Sequence, residues 1–163
     1  MKKTIRIFLL MLISAYFFNY ISTYKEWHFI DNVNVIFYEA GHTLFFFFGN
    51  FMNVFMGSGF QVLLPLLISI YFFLTYQRIS GSVVLMWVGQ NIINVSLYAS
   101  DAVARQLPLL GGGTEGHDWN YILARLNLLE YTDQISKAIY HLGVAIIVIG
   151  VIFSAYFIAV EEE

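Results

Sequence analysis

Two residues of the run FYEAGHTLFFFFGN, Glu39 and His42, are of types that do chemistry, while most of what surrounds them is apolar. On a helix they stand at i and i+3 and project from one face, with Tyr38 one turn before His42 on the same side. That is the layout of H-E-x-x-H with its first histidine replaced by Tyr38. In the complete motif two histidines one turn apart hold zinc, and the glutamate between them polarises the attacking water. A carboxylate and an imidazole in an apolar run each carry a free-energy cost, so such residues imply a shared site with partners elsewhere in the chain. Short motifs of this kind also arise by chance, and the partners decide between the two.

The elements that position these residues follow from composition. The chain has 163 residues, 59% hydrophobic and 12% charged, against roughly 25% charged in a soluble domain. Its apolar residues fall in long charge-free blocks that approach the roughly 20 residues needed to cross hydrocarbon. The expected fold is all-α, a single membrane-embedded unit over residues 1–163 whose main partner is the lipid bilayer. A net charge of −3 with no basic patch makes nucleic acid an unsuitable partner. The absence of cysteine excludes disulfides and thiolate metal sites, so any metal must use His, Asp, Glu or water.

About five spans are expected, near residues 5–23, 33–49, 60–76, 82–100 and 135–160. The first has a basic head and no small-x-small exit, and reads as an uncleaved span. Asp31 and Asn32 are placed to cap the second. Gly49-Asn50 and Met56-Gly57-Ser58-Gly59 are expected to break the chain before the third, which tolerates Pro65 near its start. A Gly-rich polar loop, 101–134, joins the last two spans and contains a short amphipathic helix near Tyr121 to Leu129. Five spans place the chain ends on opposite sides. With the N-terminus inside, Lys2, Lys3, Arg6, Arg105, Arg125 and Lys137 are cytoplasmic against Lys25 and Arg78 outside, six to two. His42, Asp101 and His117 then meet at the cytoplasmic face.

Gln90, Asn94 and Asp101 share one face of the fourth span, a polar stripe descending to a carboxylate. Asp101 reads equally as a capping residue paired with Arg105, and Gln90 and Asn94 as interhelical hydrogen-bond donors. The glycines Gly111, Gly112, Gly113 and Gly116 before His117-Asp118 let the backbone fold back closely onto a bundle. The alternative is a linker in which Asp118 caps the next helix. His28 and His141 read as ordinary interface residues. No internal repeat suggests a transporter.

Several ordered motifs carry a resemblance. Phe37-Tyr38-Glu39-Ala40-Gly41-His42, Gln61-Val62-Leu63-Leu64-Pro65, the segment Gly89-Gln90-Asn91 through Asp101-Ala102 with Arg105, and His117-Asp118-Trp119 match the pattern of an uncharacterised bacterial family of small multi-span membrane proteins. That family resembles zinc metallopeptidases of the site-2 protease type. The match covers about residues 31–143. It departs at Tyr38, where the family has a ligand histidine, and at Asn94, where it has an acidic residue. The resemblance implies a bacterial plasma-membrane location and a cytoplasm-facing zinc site, with Glu39 as general base and His42, Asp101 and His117 as ligands. Tyr38, Gln90, Asn94, Arg105 and Asp118 would stand around it. It further implies hydrolysis of membrane-associated peptides. The alternative is a non-catalytic relative using the same residues as a buried polar network or structural metal site.

Overall fold

The structure is a computed structural model describing residues 3–107 and 117–160. Six α-helices follow in order: α1 (Lys3–Thr23), α2 (Phe29–Phe45), α3 (Asn50–Leu74), α4 (Arg78–Ser100), α5 (Asp118–Arg125) and α6 (Thr132–Val160). The described residues contain no strand. Four stretches are long and apolar enough to cross a bilayer: Lys3–Thr23, Asn50–Leu74, Arg78–Ser100 and Leu129–Val160. The all-helical membrane reading therefore holds, with four such helices where five spans were expected. The 17-residue α2 is not among them.

Contacts fix the direction of each helix. Lys3 Nζ donates to Ala159 O at 3.0 Å, and Tyr140 OH donates to Ile21 O at 3.1 Å, so α1 and α6 are antiparallel. Gly89 of α4 packs on Gly143 and Ile147 of α6, and Gly150 packs on Met86 and Ser82, so that pair is antiparallel too. Ser69 Oγ donates to Gly81 O at 2.8 Å and Gln61 Nε2 to Asn94 Oδ1 at 2.8 Å, which sets α3 against α4. In α2 and α3, Gly41 meets Met56 and Phe60, while Gly57 meets Tyr38 and His42. It follows that α2 runs in the same sense as α1, after a break at residues 24–28.

One consequence overturns the premise behind the expected topology. Both described chain ends lie at one end of the bundle, beside Arg78, whose guanidinium rests over the Phe157 ring. Asp101, α5 and the start of α6 form the opposite end, called here the site end. Lys3 and Arg6 are thus separated from Arg105, Arg125 and Lys137, with which the six-to-two count had grouped them. The Gly-rich stretch, with its expected fold-back, falls within residues 108–116 and outside the described residues.

The central helix is α4, 61% buried over its most apolar window against 17% for α1. It meets α6 through small residues: a Cβ on Gly89 would stand 2.6 Å from Gly143 O, and one on Gly143 the same distance from Gly89 O. Close backbone approach of this kind is how helices associate where lipid removes the hydrophobic drive between them. The glycines of Met56-Gly57-Ser58-Gly59 do not break the chain as expected. Gly57 lies inside α3 because a side chain there would collide with the His42 and Tyr38 rings. The turn is made at Gly49 instead, whose φ of 92° only glycine adopts freely. The N-cap of α2 is His28 rather than Asp31 or Asn32: the helix begins at Phe29 and not near residue 33, and Asp31 sits in its first turn, accepting from His28 N at 2.8 Å.

Candidate functional site

Three helices meet at the site end. From α2 come Tyr38 and His42, from α4 Tyr98 and the adjoining Asp101, and from the start of α5 His117 and Asp118. The α5 helix is seated by Trp119 Nε1 donating to Ser58 Oγ at 3.1 Å and by Asn120 Nδ2 donating to Ala102 O at 2.8 Å. Its Ile122 and Leu123 are buried beneath it. His117 is its N-cap, with Nδ1 accepting from Asn120 N at 3.3 Å.

Two histidine–aspartate pairs result. His42 Nε2 stands 3.0 Å from Asp118 Oδ2, and its Nδ1 stands 2.9 Å from Asn53 O. Both neighbours are acceptors, an arrangement that favours a proton on each ring nitrogen. The Asp118 hydrogen bond is the main reason that the His42 pKa is raised above 6.5. Tyr38 OH donates to the same Asp118 oxygen, and its ring lies edge-on to His42. Asp118 N in turn donates to Tyr98 OH at 3.2 Å.

His117 differs. Its Nε2 stands 3.3 Å from Asp101 Oδ2, and the Tyr98 ring lies against it. Because Nδ1 already accepts a backbone N–H, Nε2 is the protonated nitrogen of a neutral ring. Burial, with 1% of the side chain exposed, pushes the His117 pKa below 6.5 despite the Asp101 carboxylate. Asp101 also accepts from Gln106 N at 2.9 Å and Leu107 N at 2.8 Å. Its expected pairing with Arg105 is not formed; Arg105 is exposed, and its backbone N–H meets Asp101 O.

The structure therefore brings together His42, Tyr38, Asp118, Asp101 and His117. It leaves out the rest. Glu39 is exposed, and its carboxylate makes no hydrogen bond or ion pair among the described residues. Gln90 and Asn94 turn away to a separate group around Asp31. Tyr98 and Asn53 are additions that sequence reasoning missed. Tyr98 had a signal, lying four residues beyond Asn94 on the polar stripe. Asn53 had none, because its segment read as a break.

The donor set tests the implied zinc directly. A histidine ligand offers a metal one lone pair. His42 Nδ1 is engaged with Asn53 O and its Nε2 faces the Asp118 carboxylate, and the His117 Nδ1 lone pair is taken by Asn120 N–H. Among the described residues no three His, Asp or Glu side chains group around a common point. As arranged, His42, Asp101 and His117 do not form the three-ligand set that the resemblance implies. Comparison of the chain with family models, curated proteins and solved structures finds no match.

Proposed function

We propose that this chain is a non-catalytic membrane protein in which Tyr38, His42, Asp118, Asp101 and His117 form a polar network tying α2, α4 and α5 together at the site end. The observation that carries this reading is the placement of both His42 nitrogens against acceptors, one a carbonyl and one a carboxylate. In this reading the ring is a cation held between the two. The rival reading is a zinc metallopeptidase-like hydrolase of membrane-associated peptides, with its site degenerate at Tyr38. It draws support from the convergence of His42, Asp101 and His117 on one end of the bundle.

Zinc stoichiometry by mass spectrometry on detergent-purified protein separates the two. The network reading expects no stoichiometric zinc in the parent and none gained in Tyr38→His. About one zinc per chain, lost in both His42→Ala and His117→Ala, would replace it with the hydrolase reading.

With this function we place the protein in a bacterial plasma membrane, N-terminus in the cytoplasm. The basic head Lys2, Lys3 and Arg6 of the first span supports that side, since the first helix commonly dominates orientation. Four crossing helices with paired ends then turn the site end to the outer face. The absence of cysteine makes the check direct. In intact cells a membrane-impermeant maleimide should label Gln106→Cys and spare Gln77→Cys; the opposite pattern reverses the orientation.

A further inference from the structure

A second polar group lies inside the bundle at the break between α1 and α2, sharing no residue with the histidine–aspartate pairs. At its centre is Asp31, 2% exposed. Asp31 Oδ1 accepts from Tyr20 OH at 3.1 Å, Gln90 Nε2 at 3.0 Å and Asn94 Nδ2 at 3.1 Å, while Oδ2 accepts from His28 N. Behind Gln90 the chain of bonds continues: Asn34 Nδ2 donates to Gln90 Oε1 at 2.9 Å, and Trp87 Nε1 donates to Asn34 Oδ1 at 3.1 Å.

The direction of this chain is fixed at both ends, by the acceptor-only carboxylate of Asp31 and by the donor-only indole of Trp87. An indole N–H is a donor only, so Asn34 must turn its oxygen to Trp87 and its NH₂ to Gln90. Gln90 must then turn its own NH₂ toward Asp31. The second arm has no such constraint: Gln61 Nε2 donates to Asn94 Oδ1, and neither amide meets a donor-only group in its remaining bonds. With the carboxylate changed to an amide, the first arm would stay locked by Trp87 and the second would be free to reverse. A carboxylate suits the end of the locked arm because Oδ1 accepts from Gln90 while Oδ2 accepts from His28 N, whereas an amide whose oxygen keeps the His28 bond sets its NH₂ against that of Gln90.

We infer that Trp87 fixes the direction of a hydrogen-bond relay within the bundle, and that Asp31 is the positioning residue that receives it and holds the start of α2. This matters because α2 carries Tyr38 and His42, and among the described residues its side chains hydrogen-bond to α4 at two places, through Asp31 and Asn34 and through Tyr38. The relay sets where α2 begins relative to the central helix.

The test is a double-mutant cycle on the full chain in detergent, read as the thermal unfolding midpoint. Asp31→Asn alone should lower the midpoint by about 5 °C or more, through opposed buried donors. Trp87→Phe alone should lower it less. In Asp31→Asn/Trp87→Phe, Asn34 and Gln90 are free to reverse and present Oε1 to the new amide. The double variant should therefore melt above Asp31→Asn, regaining about half of the loss. A residue that merely fills space gives additive losses, and additive or larger losses overturn the inference. Should Asp31→Asn not fold, the yield of monodisperse protein carries the same sign: recovery in the double variant is expected, and equal absence overturns it.

Discussion

The two histidine–aspartate pairs at the site end use the same residue types, are joined by the His117–Asp118 peptide bond, and hold opposite protonation states. His42 keeps 21% of its side chain exposed and presents protons to Asp118 and Asn53 O. His117 is sealed at 1% and takes a proton's bond from Asn120 N on its second nitrogen. The carboxylate does not decide the difference. The decision lies with the group facing the other ring nitrogen, a carbonyl in one case and an N–H in the other. A histidine beside an aspartate is thus no guide to charge until both of its nitrogens are accounted for.

The largest expected break in this contrast comes from changing each aspartate to its amide. Asp118→Asn removes the countercharge of a held cation and should destabilise by about 3 kcal/mol. Asp101→Asn keeps an oxygen for neutral His117 and Leu107 N but turns its NH₂ to Gln106 N, and should lose about 2 kcal/mol. Paired denaturation curves check this, and equal losses would mean that the two pairs carry the same charge.

The pH dependence sharpens the same point. The raised His42 pKa makes its contribution full below 6.5 and lost as pH rises through the raised value. The lowered His117 pKa makes its contribution full above 6.5, declining as pH falls through the lowered value. Stability should therefore peak near pH 6.5 and fall on both sides. Thermal midpoints across a pH series should show His42→Ala flattening the alkaline limb and His117→Ala the acid limb. A single limb lost in both variants would contradict the assignment.

Smaller effects follow. Tyr38→Phe removes one bond to Asp118 and should lower stability by about 1 kcal/mol, leaving Asp101→Asn unaffected in its own loss. Glu39→Gln should change stability by less than about 0.5 kcal/mol, since the carboxylate lies outside both pairs. A large loss in Glu39→Gln would bring that residue back into the site.

Much of the helical framework was legible because apolar blocks and their breaks are local signals. The α4 helix and the end of α6 fall where hydropathy places them. What failed was non-local. Gly57 carries the same weight in a sequence whether it ends a helix or admits a neighbouring ring, and only the position of His42 tells these apart. The break at 24–28 read as the turn between two crossing spans, although α1 and α2 continue in one direction. That single difference moved the chain ends together and separated the basic residues that the orientation argument had pooled. At the site, His42, Asp101 and His117 were visible by type, but the role of Asp118 was not. Its capping position and its contact with His42 look identical in sequence. Asp31 was expected as the cap of α2 and instead sits in its first turn, and its four further donors, Tyr20, Asn34, Gln90 and Asn94, lie on three helices that no local pattern connects.

The pairing of α1 with α6 has a consequence in time. The α1 helix packs on α6, which is made well after it. At about 5–20 residues per second, α1 waits on the order of ten seconds in the bilayer before α6 exists to cover it. Through that interval Tyr20, buried in the finished protein, can reach neither the α4 amides nor the cover of α6 until each is synthesised. A chain stopped short of Thr132 leaves α1 without that partner.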